Sequence, residues 1–107
     1  MPRTDASPNA APEIVVVFWR DIPAQVIVGA GRRAAKAALP ERFEKAIDRA
    51  AMRAGATDDA YLAEWRKAAI GPAEGDPAEA ARAAAARLEA EYDDARLLAL
   101  VGNHGRA

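Results

Sequence analysis

The chain has 107 residues, no cysteine, one histidine and a formal net charge of -1. A chain this short forms one domain, buries only about 60–65% of its unfolded surface, and has no room for separate cofactor and substrate domains. Without cysteine there are no disulfides, thiolate metal sites or cysteine nucleophiles, and the near-neutral charge leaves no global field pulling the protein towards nucleic acid or an anionic membrane.

Residues 1–12 hold three prolines and, after Met1, no large apolar residue. Such a stretch cannot offset its ordering entropy by burial, so a disordered tail is expected. It has no apolar core of a secretory signal, and nowhere does an apolar run approach the roughly 20 residues of a membrane span. The expected location is cytoplasmic, with no membrane partner.

Residues 13–70 read as an α+β domain. Glu13 to Arg20 (EIVVVFWR) is dense in β-branched and aromatic residues and predicts a strand with both faces covered. Asp21-Ile22-Pro23 is a turn, and Ala24 to Val28 a second strand, giving an antiparallel hairpin. Gly29 and Gly31 break it. Arg32 to Leu39 is a helical turn or, preferred here, a third strand.

Pro40 suits the first turn of a helix. Phe43, Ala46, Ile47, Ala50, Ala51 and Ala54 follow at helical spacing, and Gly55 fits the C-terminal cap. Thr57, followed by Asp58 and Asp59, caps a second helix expected over 58–69 with Tyr61, Leu62 and Trp65 on its apolar face. Residues 71–76 read as a linker. Asp76-Pro77-Ala78-Glu79 combines an N-cap, a first-position proline and an acid at the third position. It opens an alanine-rich helix expected to run without interruption from 77 to 101. A frayed tail, 102–107, completes the chain. The core is expected to bring Phe43, Ile47, Leu62 and Trp65 against Val15, Val17, Ile27 or their neighbours. Alanine supplies little buried area, so the first half of the last helix should pack weakly. The apolar run Leu97 to Val101 needs cover on more than one side, from the sheet or from a second copy in a homodimer.

Val26-Ile27-Val28-Gly29-Ala30-Gly31, continued by Arg32-Arg33-Ala34, matches a dinucleotide fingerprint. That chemistry needs a helix starting at Gly31 and a parallel strand beyond it. Pro40 cuts any such helix short, so a tight turn is expected and no cofactor. His104 and Ser7, the sole histidine and serine, fall in the terminal tails, so no nucleophile–base pair can be assembled. Asp58 and Asp59 read as helix capping, and Glu89, Glu91, Asp93 and Asp94 as a solvated face. No metal site and no enzyme activity are expected.

Two surfaces remain as candidate binding sites. Trp19, Arg20, Asp21 and Gln25 gather around the hairpin turn, where Trp and Arg are common interface anchors; Trp19 in the core is the plainer alternative. Arg42, Lys45, Arg49 and Arg53 form a basic row on the helix over 40–54, near Arg32, Arg33 and Lys36 in sequence. That row could meet anionic groups, or be an ordinary exposed face with local ion pairs. With no aromatic among its residues it makes a poor single-strand platform, and nucleic acid is an unfavoured partner.

FWRDIPAQVIV, GRRAAK and LPERFEKAIDRAAMRAGATDDAYLAEWR resemble the small bacterial domain family labelled virulence factor, with a likeness to part of conserved virulence factor C. The resemblance covers about Glu13 to Lys67. Its label comes from a phenotype and carries no catalytic or ligand residues. It also implies an accessory role near tetrahydrofolate and corrinoid one-carbon metabolism, as a subunit or small-ligand binder. The leading expectation is a non-catalytic accessory or regulatory protein that binds another cytoplasmic protein.

Overall fold

A computed structural model describes residues 12–107; the expectation for the first residues therefore lies almost wholly outside the described part. Four strands make one antiparallel sheet. They are β1 (Glu13–Trp19), β2 (Ile22–Val28), β3 (Ala35–Ala38) and β4 (Trp65–Pro72), in the order β3-β2-β1-β4. The helices are α1 (Glu41–Ala54), α2 (Asp58–Ala63), α3 (Pro77–Glu91) and α4 (Asp94–Gly102). The α+β class and the third strand are as the sequence predicts.

The hairpin joins Trp19 to Ile22 through Arg20 and Asp21 alone. A two-residue connection that matches strand twist needs positive φ, and Arg20 adopts 53°. Along β1 the pleat divides the side chains. Val16 pairs with Val26 and both are fully buried, together with Val28. The core therefore takes the neighbours of Val15, Val17 and Ile27, which stay half-buried on the opposite face. The expectation that both faces of β1 are covered holds in part, since within β1 Val16 and Trp19 alone are fully buried.

α3 crosses β2 and β3 with Ala81, Ala84, Ala85 and Leu88 buried. Alanine contributes little area per residue, but a row of small side chains lets the helix backbone sit close to the sheet. Asp76 caps α3 through Oδ2, which accepts from the Glu79 amide at 3.1 Å. Phe43, Ala46, Ile47, Ala50 and Ala51 are the buried face of α1, and Gly55 ends it in the left-handed conformation.

Five expectations need correction. The helix expected over 58–69 ends at Ala63, and Trp65 to Pro72 becomes β4. Tyr61, Leu62, Trp65 and Ala69 fit a helical period, but the free edge of β1 needs partners for its amides and carbonyls, and pairing with β4 supplies them. Leu62 is consequently 64% exposed rather than in the core, and Trp65 is a half-buried strand residue. The linker over 71–76 starts inside that strand. Thr57 precedes α2 without a side-chain capping bond.

The fourth correction is a break in the long C-terminal helix. Tyr92 leaves the helical region (φ -101°, ψ 71°) and Asp93 caps a new helix, accepting from the Arg96 amide at 2.9 Å. The turn lets α4 fold back onto α1 and bury Leu97, Leu100 and Val101, while Leu98 points away, 66% exposed. The fifth concerns residues 102–107, which are held against the hairpin turn rather than frayed.

Candidate functional site

The hairpin turn is a clamp on the C-terminus. Trp19 is fully buried, stacked on Tyr61 of α2 at 5.8 Å between ring centroids, with Nε1 donating to the Tyr61 carbonyl at 2.9 Å. The Asp21 amide donates to the Gly105 carbonyl at 2.8 Å, and Asp21 Oδ2 accepts from the Ala107 amide at 2.7 Å. Arg20 Nη1 donates to the His104 carbonyl at 2.8 Å. Its Nε lies 3.5 Å from Glu64 Oε1, near enough to pair the charges but without a hydrogen bond. Arg66 completes the knot, reaching Asp21 Oδ1 at 3.1 Å and the Arg20 carbonyl at 2.9 Å. The three residues singled out at this turn thus spend their polar groups inside the molecule.

Gln25 stands apart from that clamp, half-buried in β2 opposite Val17 and Ala38, with no side-chain hydrogen bond to another described residue. Arg32 and Arg33 occupy an exposed 3-10 turn (Gly31–Arg33) beyond the far end of β2. Gly29 and Gly31 take φ of 93° and 66°, and the chain returns as antiparallel β3. The helix start that would cradle a pyrophosphate is replaced by this strand. Lys36 is exposed on β3 beside Ile27.

The basic row of α1 has a different setting. Between α1 and α4 runs an open groove of about 300 Å³, lined by Arg42, Lys45, Ala46, Arg49, Asp94, Leu97, Leu98 and Val101. Ala46, Leu97 and Val101 are buried and make its floor; Leu98 stands at its lip. Arg42 is already committed. It donates to the carbonyls of Tyr92 at 2.7 Å and Glu89 at 2.8 Å, and pairs with Asp94 Oδ1 at 3.4 Å. A guanidinium fork there satisfies the C-terminal carbonyls of α3, its charge placed where the helix dipole is negative. Lys45 and Arg49 are exposed and make no ion pair with any described residue.

The structure therefore separates the sequence candidates. Arg42 and Arg49 share one groove; Trp19, Arg20 and Asp21 share a structural clamp; Arg32, Arg33, Lys36 and Gln25 lie on neither. No local pattern marks the apolar floor, because Leu97, Leu98 and Val101 read as the end of one straight helix. Asp93 followed by Asp94 before a leucine run was the available signal for a second cap. Asp93 and Asp94 are a cap and an ion-pair partner rather than only a solvated face.

Tyr61 departs from its usual acidity. Burial pushes its phenol up, reinforced by the carboxylates of Asp48 and Glu44, against an opposing hydrogen bond to Trp65. Among the described residues no group of three or more His, Asp or Glu side chains could hold a metal ion, and no helix is long and apolar enough to cross a membrane. A family model described as virulence factor matches residues 17–101, from the last residues of β1 through the other three strands to α4, with His104, Gly105 and Ala107 of the clamp beyond it. No curated protein and no solved structure matches the chain.

Proposed function

The chain belongs to the virulence factor family, and on that premise we propose that it is a non-catalytic interaction protein that binds another protein through the groove between α1 and α4. One observation carries the reading: a leucine 66% exposed at the lip of an apolar groove whose wall holds two cations, Lys45 and Arg49, that form no ion pair with a described residue. A scattered surface leucine needs no explanation. Leu98 is not scattered, since it borders a floor of Ala46, Leu97 and Val101. Covering such a side chain is worth about 1.5–3 kcal/mol. A single histidine, a single serine and no cysteine support a binding role over a chemical one.

The test uses two variants that spare the core. Leu98→Asp and Arg49→Glu should keep the melting temperature of the parent, because both side chains are exposed. Both should abolish a heteromeric complex that the parent forms when co-expressed with its genomic neighbours and resolved by size exclusion. Complexes that survive both variants would place the contact elsewhere and refute the proposal, as would a parent that elutes alone in every case.

A further inference from the structure

We infer that the occupant of the α1–α4 groove is an acidic amphipathic helix of the partner protein; this deepens the interaction reading above and rests on it. The walls are two helices, so the groove offers no strand edge. An extended segment laid in it would leave its amides and carbonyls unpaired, whereas a helix satisfies its own backbone and presents an apolar stripe. The floor of Ala46, Leu97 and Val101, with Leu98 at the lip, takes that stripe.

Charge sets the rest of the occupant's chemistry. Lys45 and Arg49 lie one turn apart on α1, about 6 Å along its axis. Two carboxylates four residues apart on a bound helix have the same separation. Asp94, the one acid in the lining, is held by Arg42, so it does not cancel the pair. Rim charges of this kind choose the partner and its register more than they add affinity. A membrane surface is a poorer fit, because two cations supply only about 2 kcal/mol of attraction to anionic lipid. A second copy is poorer too: its own groove would present the same cations.

Two labelled synthetic helices test this. Each is about 18 residues long, enough for measurable helicity, with the same leucine stripe, flanked by glutamates in one and lysines in the other. Fluorescence anisotropy with the full chain should show binding of the acidic peptide that weakens with salt. Lys45→Glu combined with Arg49→Glu should weaken it at least about tenfold and create binding of the basic peptide. Leu98→Ala should weaken the acidic peptide without moving the melting temperature. Equal binding of both peptides, or binding of neither, overturns the inference. So does uptake by phosphatidylglycerol vesicles in place of peptide, or self-association that masks Leu98. If a heteromeric complex depends on Leu98 while the acidic peptide fails, the interaction reading stands and the helix falls.

Discussion

Gly105 lies flat against the indole of Trp19. A Cβ on Gly105 would meet Trp19 Cζ3 at 2.9 Å, and the backbone there has φ of 90°. No side chain fits that position, because the ring is fully buried and stacked on Tyr61. Gly105→Ala should therefore loosen the C-terminal clamp and lower stability by about 1–3 kcal/mol, combining overpacking with a left-handed backbone. Urea denaturation measures it; an unchanged midpoint would show that the tail does not rest on Trp19.

Arg20 pays for its side-chain contacts with its backbone. At φ of 53° a non-glycine residue carries roughly 1–2 kcal/mol of strain. Arg20→Ala loses the bond to the His104 carbonyl and the pairing with Glu64 while keeping the strain. Arg20→Gly loses the same contacts and relieves the strain. The glycine variant should be the more stable by about 1 kcal/mol. The opposite order would mean that the turn is not strained.

Tyr61 links stability to alkaline pH. Its phenol is raised above the ordinary value of 10.0 by burial first and by Asp48 and Glu44 next. The unfolded chain therefore gives up this proton at lower pH than the folded one. Stability from Tyr61 is whole below about pH 10 and falls as pH climbs through the folded value. Thermal melts of the parent between pH 9 and about 11 should decline more steeply than those of Tyr61→Phe. Parallel curves would contradict the assignment.

Arg42 fixes the joint between α3 and α4. Lysine keeps the charge but cannot reach the carbonyls of Tyr92 and Glu89 and the Asp94 carboxylate together. Arg42→Lys should cost about 1 kcal/mol in this partly exposed setting and speed amide exchange around 88–97. Unchanged exchange there would remove Arg42 from the joint.

The hairpin, α1 and the start of α3 were legible because each has a local signal: β-branched density at Glu13 to Trp19, helical spacing from Phe43 to Ala54, and the capping sequence at Asp76. The misread elements are those decided by distant partners. Trp65 to Pro72 is a strand because β1 had an open edge, which no local pattern records. Tyr92 breaks a helix of excellent alanine propensity because Asp93 can cap and Arg42, fifty positions away, can donate to the freed carbonyls. The candidate site inherits this limit. Its cations stood out on one helix wheel, but its floor exists only once α4 has folded back. The clamp at Trp19, Arg20 and Asp21 looked like an interface for the same reason: its partner is the chain's own C-terminus.

The most direct measurement is site-specific photo-crosslinking in cells at the four large apolar side chains that stand exposed among the described residues: Met52, Leu62, Ile70 and Leu98. A photoreactive amino acid is introduced at each in turn, and adducts are resolved by mass. The groove account requires a discrete heteromeric adduct from position 98, lost when Lys45 and Arg49 are both changed to glutamate. Adducts from 52, 62 or 70 with none from 98, or a 98 adduct indifferent to those charges, would contradict it.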